Sequence, residues 1–245
     1  MKKYIISVVA ITIFCTSSII LNAAVIGGIN NDGKIGLEEA IYALQTIAGM
    51  RPQPETVNLG GVYFDTTSDQ WPTDSYLSIP TSGVMSYSGY GDYAGFTITH
   101  EFFPGQSVKG VKCVKMHTSG DCGEDCWTED WWFAFDTRGN CRVLKQITNG
   151  VLRFEASAEL MPPVFMPKKI SLGQTWFCLG TVLTVEDLNA SFKDYQNLLK
   201  LKADMYGSED IDYFYFQKGK GLVIDHWYDR PIPTGSGWKL KLPSP

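Results

Sequence analysis

From about residue 60 onward the chain is a succession of short runs of β-branched and aromatic residues, each broken by Gly, Pro, Asp or Ser. That rhythm constrains the fold more than any other feature, because it sets strand after strand against turn chemistry and leaves little room for long helices. Strands are expected near residues 84–90, 94–102, 109–117, 130–136, 141–147, 151–157, 175–185, 196–203, 211–217 and 221–228, with one short helical stretch at 189–195. An aromatic fraction of 13% fits an all-β chain. The fold class is therefore read as mainly β: a twisted antiparallel sheet forming a half-barrel or a sandwich over residues 57–245. At 245 residues the chain is long enough to bury one sizeable core.

An internal repeat runs through this region. Val111-Lys112-Cys113-Val114-Lys115-Met116, Trp131-Trp132-Phe133-Ala134-Phe135 and Gly139-Asn140-Cys141-Arg142-Val143-Leu144 parallel a second set. That set is Asn197-Leu198-Leu199-Lys200-Leu201-Lys202, Tyr213-Phe214-Tyr215-Phe216 and Gly219-Lys220-Gly221-Leu222-Val223-Ile224. Each reads as strand, turn, aromatic strand, glycine turn, strand.

The opposite end reads as a signal peptide over residues 1–24. Lys2 and Lys3 precede an uncharged, mostly apolar stretch, and Ala23-Ala24 offers small residues for cleavage. Thr16-Ser17-Ser18 and Asn22 interrupt the apolar run, which argues against a retained anchor. Phe14 before Cys15 does not suit a lipid-modified cysteine. The expected location is periplasmic or extracellular, with no membrane association after cleavage. In such an oxidising compartment Cys113, Cys122, Cys126, Cys141 and Cys178 are candidates for disulfides. A net charge of −5 offers no basic face to displace phosphate counterions, so nucleic acid is excluded as a partner.

Between these regions, residues 25–50 combine a loop with an amphipathic helix. Leu37, Ala40, Ile41, Leu44 and Ile47 recur at helical spacing and Gly49 marks a stop. The apolar stripe of residues 37–48 calls for a covering surface, either the β-domain or a protein partner. Residues 51–56, rich in proline, read as a linker. Anchoring an EF-hand loop on Gly33 at position 6 places Asn30 at 3, Asp32 at 5, the Lys34 carbonyl at 7 and Glu39 at 12. The segment Asn-x-Asp-Gly-Lys-Ile-Gly-Leu-Glu-Glu-Ala-Ile resembles the calcium-loop helix of dockerin repeats, and the resemblance implies calcium as a ligand. Position 1 is Gly28 instead of aspartate, which implies weak affinity.

No catalytic motif emerges: His100-Glu101 lacks a second histidine, and neither a nucleophile elbow nor a phosphate-binding glycine loop is present. His117, Cys122 and Cys126 supply three of the four ligands zinc wants, but read more simply as a hairpin loop. Carboxylate pairs for glycoside hydrolysis are separated in space, so no pair is picked from sequence. Trp131 and Trp132, adjacent on one strand, must point to opposite faces. Ile170-Ser171-Leu172-Gly173-Gln174-Thr175-Trp176 followed by the Tyr213–Val223 hairpin resembles a group of exported bacterial β-proteins, some similar in outline to the curved sheets of periplasmic lipoprotein carriers. The expected function is non-catalytic binding or structural service outside the cytoplasm. A carrier of an apolar ligand, and a carbohydrate-binding module or glycan-active hydrolase, are the alternatives.

Overall fold

The computed structural model describes residues 36, 37, 40, 41, 44, 45 and 48, then 56–66, 71, 75–78, 83–121, 127–206, 211–228 and 235–241. The chain divides into two units, Met1–Gln53 and Pro54–Pro245. In the first, Leu37, Ala40, Ile41, Leu44 and Gln45 have helical backbone, and Ala40 N donates to Gly36 O at 3.2 Å. Leu37 is 76% exposed, and Ile41 and Leu44 are exposed with it. The expected signal segment and the calcium ligands Asn30, Asp32, Lys34 and Glu39 lie outside the described residues.

The second unit is built from antiparallel strands, as the rhythm of the sequence requires. A hairpin of β1 (Thr56–Leu59) and β2 (Val62–Asp65) stands alone. The rest are β3 (Val84–Tyr90), β4 (Thr97–Val108), β5 (Val111–Asp121), β6 (Thr128–Phe135), β7 (Cys141–Thr148), β8 (Val151–Glu155), β9 (Val164–Met166), β10 (Thr175–Cys178), β11 (Thr181–Phe192), β12 (Tyr195–Met205), β13 (Ile211–Gln217), β14 (Gly221–Tyr228) and β15 (Ser236–Leu240). These form one 13-stranded sheet in the order β10-β11-β12-β13-β14-β15-β3-β4-β5-β6-β7-β8, with β9 paired to β7. The sheet does not close: β8 and β10 are its ends, and both are short, which limits the unpaired edge each presents.

The topology is two six-strand meanders, β3–β8 and β10–β15, joined where β15 pairs with β3. The two blocks of the sequence repeat fall on corresponding strands. Met116 faces Trp131 across β5 and β6, and Lys202 faces Tyr213 across β12 and β13. Each following hairpin carries a bulge, between Trp132 and Phe133 in one and between Tyr215 and Phe216 in the other. Each also turns on a left-handed glycine, Gly139 at φ 81° and Gly219 at φ 73°.

Three expectations are corrected. Residues 189–195 are strand and turn instead of helix: Phe192 pairs with Tyr195 around Lys193 at φ 52°, and Phe192 packs on Tyr215 with ring centroids 5.0 Å apart. Cross-strand aromatic packing overrides a weak local preference there. The single strand expected at 175–185 is broken into β10 and β11 at Leu179-Gly180, both at positive φ. Strand β1 begins at Thr56, inside the expected linker, and β9 and β15 fall where no strand was expected.

Alternation along the strands decides the two faces of the sheet. On β12, Leu199, Leu201 and Ala203 point one way and Lys200 and Lys202 the other. Leu199 and Leu201 share one buried cluster with Val143 on β7, Phe133 on β6, Met166 on β9, Cys178 on β10, Val185 on β11 and Phe216 on β13. Strands from opposite ends of the order meet in that cluster, so the sheet is coiled and this is its concave face. One end, β10, is linked to β9, which pairs with β7 near the other end, where Trp176 Nε1 donates to Phe165 O at 3.2 Å. On the convex face Leu59, Val62 and Phe64 of the β1–β2 hairpin cover Val108, Val111, Cys113, Ala134 and Leu144.

Candidate functional site

The concave face has two unlike halves. Toward the β6–β7 and β13–β14 turns it is apolar, with Val143 and Leu199 at 0% exposure and Phe135 and Leu222 partly buried beside them. Toward the other ends of the strands, inward positions are polar and keep partial access to solvent: Glu129, Gln146, Thr148 and Asp225 are half-buried, as are Met116, Trp131 and Phe214. Registers place these side chains together. Thr118 faces Glu129 and Glu129 faces Thr148, while Asp225 faces both Phe214 and Trp238. Asp212 lies two residues before Phe214, in the same phase, and is buried.

Three carboxyls therefore line this half. Glu129 accepts from Trp131 Nε1 at 3.1 Å and from Thr148 Oγ1 at 3.3 Å. Asp225 keeps some exposure as a residue, yet its Oδ1 is shut off from solvent and has no hydrogen-bond partner among the described residues. Burial, reinforced by the charges of Asp212 and Glu129, raises its carboxyl well above the usual range. Glu129 and Asp225 stand on β6 and β14, with four strands between them in sheet order, so their coupling runs across the coiled interior.

The adjoining wall is Tyr87, Ile98, His100 and Trp238. Tyr87 donates to Leu222 O at 2.9 Å, and its ring lies 4.7 Å from that of His100. Burial lowers His100 to about 4, so its imidazole is neutral at physiological pH. Burial and the nearby Asp225 push the Tyr87 hydroxyl well up.

The residues singled out from sequence fall in several places. Trp131 and Trp132 do point to opposite faces: Trp131 stacks on Phe133 inside, while Trp132 lies outside beneath Lys115 and Lys145, 5.3 and 5.4 Å from its ring centre. His117 is convex, with Nδ1 2.7 Å from Asp130 Oδ1, and Cys122 and Cys126 lie outside the described residues. Cys113, Cys141 and Cys178 are buried free thiols, so the expected disulfides do not involve them. The physical reason is their placement: Cys113 lies under the β1–β2 hairpin, and Cys141 and Cys178 lie in the concave cluster. His226 is convex, its Nδ1 2.7 Å from the Tyr90 hydroxyl.

Sequence reasoning missed Asp212 and Asp225. A signal was available: Asp212 sits in the inward phase of an aromatic strand, in step with Phe214 and Phe216, and Asp225 directly follows the apolar run Leu222-Val223-Ile224. A carboxylate in the buried phase of a strand breaks the binary pattern, and such breaks mark sites worth attention. Among the described residues, no group of three or more His, Cys, Asp or Glu side chains is disposed to hold a metal ion. No family model matches the chain, and neither a curated protein nor a solved structure matches it.

Proposed function

We propose that this is an exported, non-catalytic binding protein whose ligand sits in the polar half of the concave face. The observation that carries the reading is the contrast in polarity between the halves: inward side chains are apolar at one end, while Glu129, Gln146, Thr148 and Asp225, with Trp131 and Phe214 beside them, bring polar groups with partial solvent access to the other. A concave surface with aromatic walls and a few convergent polar groups is the usual form of a ligand site. The apolar-carrier alternative is less favoured, because the apolar half is already filled by the protein's own side chains. Its test is thermal unfolding of the mature chain against neutral oligosaccharides, fatty acids and organic cations. Stabilisation by one class, lost in Trp131→Ala with the fold intact by near-ultraviolet circular dichroism, supports the reading; no stabilisation by any class overturns it.

A glycan-active hydrolase is the second reading. It draws on one observation, a carboxyl with a raised pKa in the same interior as a second, hydrogen-bonded carboxyl. Hydrolysis of glycan substrates that disappears in both Asp225→Asn and Glu129→Gln would favour it over plain binding.

The N-terminal loop is proposed as a weak calcium site through Asn30, Asp32, the Lys34 carbonyl and Glu39. Calcium at about a hundred times its dissociation constant adds roughly 2.7 kcal/mol to the unit that binds it. Calorimetric titration of the full mature chain, and of an Asp32→Ala, Glu39→Ala variant, tests it; a silent titration of the unmodified chain sinks the assignment.

A further inference from the structure

Away from the concave face, strand β11 carries a motif that the binding reading does not use. Asp187-Leu188-Asn189-Ala190-Ser191 holds an asparagine followed two residues on by serine, with alanine and not proline between them. That is the acceptor pattern for transfer of an oligosaccharide to the side-chain amide in exported proteins. Of the eight asparagines in the chain, Asn189 alone has it. Asp187 completes the longer pattern of those oligosaccharyltransferases that also require an acidic residue two positions before the asparagine. A carboxylate there offers the transferase a charge-assisted hydrogen bond that fixes the register of the segment.

A transferase has to take such a segment into its own site, so the acceptor backbone must be accessible and lightly held. The fold meets both needs at Asn189. Asp187 pairs with Lys200 of β12 and the next pair is Ala190 with Leu198, so Leu188 and Asn189 bulge out between two register shifts. On the other side β10 pairs only with Thr181–Thr184, and among the described residues no strand covers the edge of β11 beyond Val185. Asp187, Leu188, Asn189 and Ser191 are exposed, whereas Ala190 is buried and anchors the bulge. Asn189 N–H donates to Asp187 Oδ1 at 2.8 Å, a local turn that needs no other strand. The Asn189 carboxamide makes no hydrogen bond among the described residues.

We propose that Asn189 is an N-glycosylation site, modified after export by transfer of an oligosaccharide from a lipid pyrophosphate. This rests on the export proposed above and not on the binding reading. In the transfer, the bond from Asn189 Nδ2 to the anomeric carbon of the sugar forms as the bond from that carbon to the pyrophosphate oxygen breaks. The bonding pair leaves with the lipid pyrophosphate, and the amide proton passes to a base of the transferase. The glycan stands on the open edge of β11, where it blocks pairing with another sheet edge.

The test incubates the folded mature chain with a purified oligosaccharyltransferase of the class that requires the acidic residue, and with its lipid-pyrophosphate oligosaccharide. Intact mass and peptide mapping read the product, and near-ultraviolet circular dichroism checks that each variant is folded. The expected result is a single glycan per chain on the peptide that contains Asn189. Asn189→Gln and Ser191→Ala each abolish it, and Asp187→Ala slows it at least tenfold. A synthetic peptide spanning residues 184–194 is run alongside to report the enzyme's activity on the bare segment. A modified peptide beside an unmodified folded chain overturns the site, and so does a glycan that persists in Asn189→Gln. The full chain, signal included, is then produced in cells that hold the same transferase. Modification there that is lost in Asn189→Gln supports both the site and export. Modification in the purified reaction with none in cells overturns export if the signal is uncleaved, leaving the site standing, and overturns use of the site in cells if the signal is cleaved.

Discussion

Arg142 Nε lies 2.6 Å from Asp136 Oδ2, and both side chains are almost wholly buried. The pair sits at the β6–β7 turn, where Asp136 Oδ1 also accepts from the backbone of Arg138 at 3.0 Å and Asn140 at 2.8 Å. Arg142 Nη1 reaches onward to Pro162 O at 2.7 Å, tying the turn to the segment that leads into β9. Removing one partner leaves a buried charge exposed to no compensation. Asp136→Ala is expected to cost about 3–5 kcal/mol by chemical denaturation. Lys202→Ala, which removes the more exposed pair with Asp204, is expected to cost within about 1 kcal/mol. Equal losses from the two variants would refute the ranking.

Asp225 makes stability depend on pH in an unusual direction for a carboxylate. Its folded pKa lies above the unfolded value, so the folded state holds the proton more tightly. That contribution is fully present below the ordinary carboxylate range and is lost as pH rises toward the folded pKa. Asp225→Asn keeps the shape without the charge, and is expected to be more stable than the parent at pH 8 and to show a smaller loss between pH 4 and pH 8. Urea titrations of both proteins across that range, without added ligand, decide it. A variant less stable at pH 8 would mean that the ionised carboxyl is compensated.

Much of this fold was legible because alternation is local. The inward phase of Leu199, Leu201 and Ala203, and the opposed faces of Trp131 and Trp132, follow from a period of two. The two blocks compared in the sequence fall on β5–β7 and β12–β14, each with a glycine turn before its last strand. What stayed hidden is set by long-range pairing. Nothing near Ser236–Leu240 announces that it pairs with Val84–Tyr90, the join that makes one sheet of two meanders. The carboxyl site depends on that join and on the coil of the sheet, because Glu129 and Asp225 meet only when β6 and β14 face each other. Asp225 could be seen as a charge in a buried phase; its neighbours could not.

His100 supplies the opposite slope. Its folded pKa of about 4 lies below the unfolded 6.5, because burial against Tyr87 disfavours the imidazolium. Its contribution is fully present above pH 6.5 and is lost as pH falls through 4, a span of about 3 kcal/mol. His100→Gln is expected to lower stability at pH 7 through lost packing, yet to flatten the decline between pH 6.5 and pH 4. A parallel decline in parent and variant would assign acid sensitivity elsewhere.

The three buried cysteines give the last prediction. Burial pushes the thiols of Cys113 and Cys178 up to about 12, and holds Cys141 well above its usual value, with Cys178 adding to the effect. Only the thiolate attacks a disulfide reagent, so at pH 8 the raised pKa alone slows Cys113 and Cys178 by roughly three orders of magnitude, before their inaccessibility is counted. Titration with an aromatic disulfide reagent should find these three silent in the native protein and reactive together once denaturant unfolds the sheet. Their unmasking should track the loss of near-ultraviolet circular dichroism, because Cys113 lies under the β1–β2 hairpin and the other two in the concave cluster. Early reaction of Cys113 alone would mean that the hairpin opens independently; early reaction of Cys178 would mean that β10, at the end of the sheet, peels away from β9 before the rest gives way.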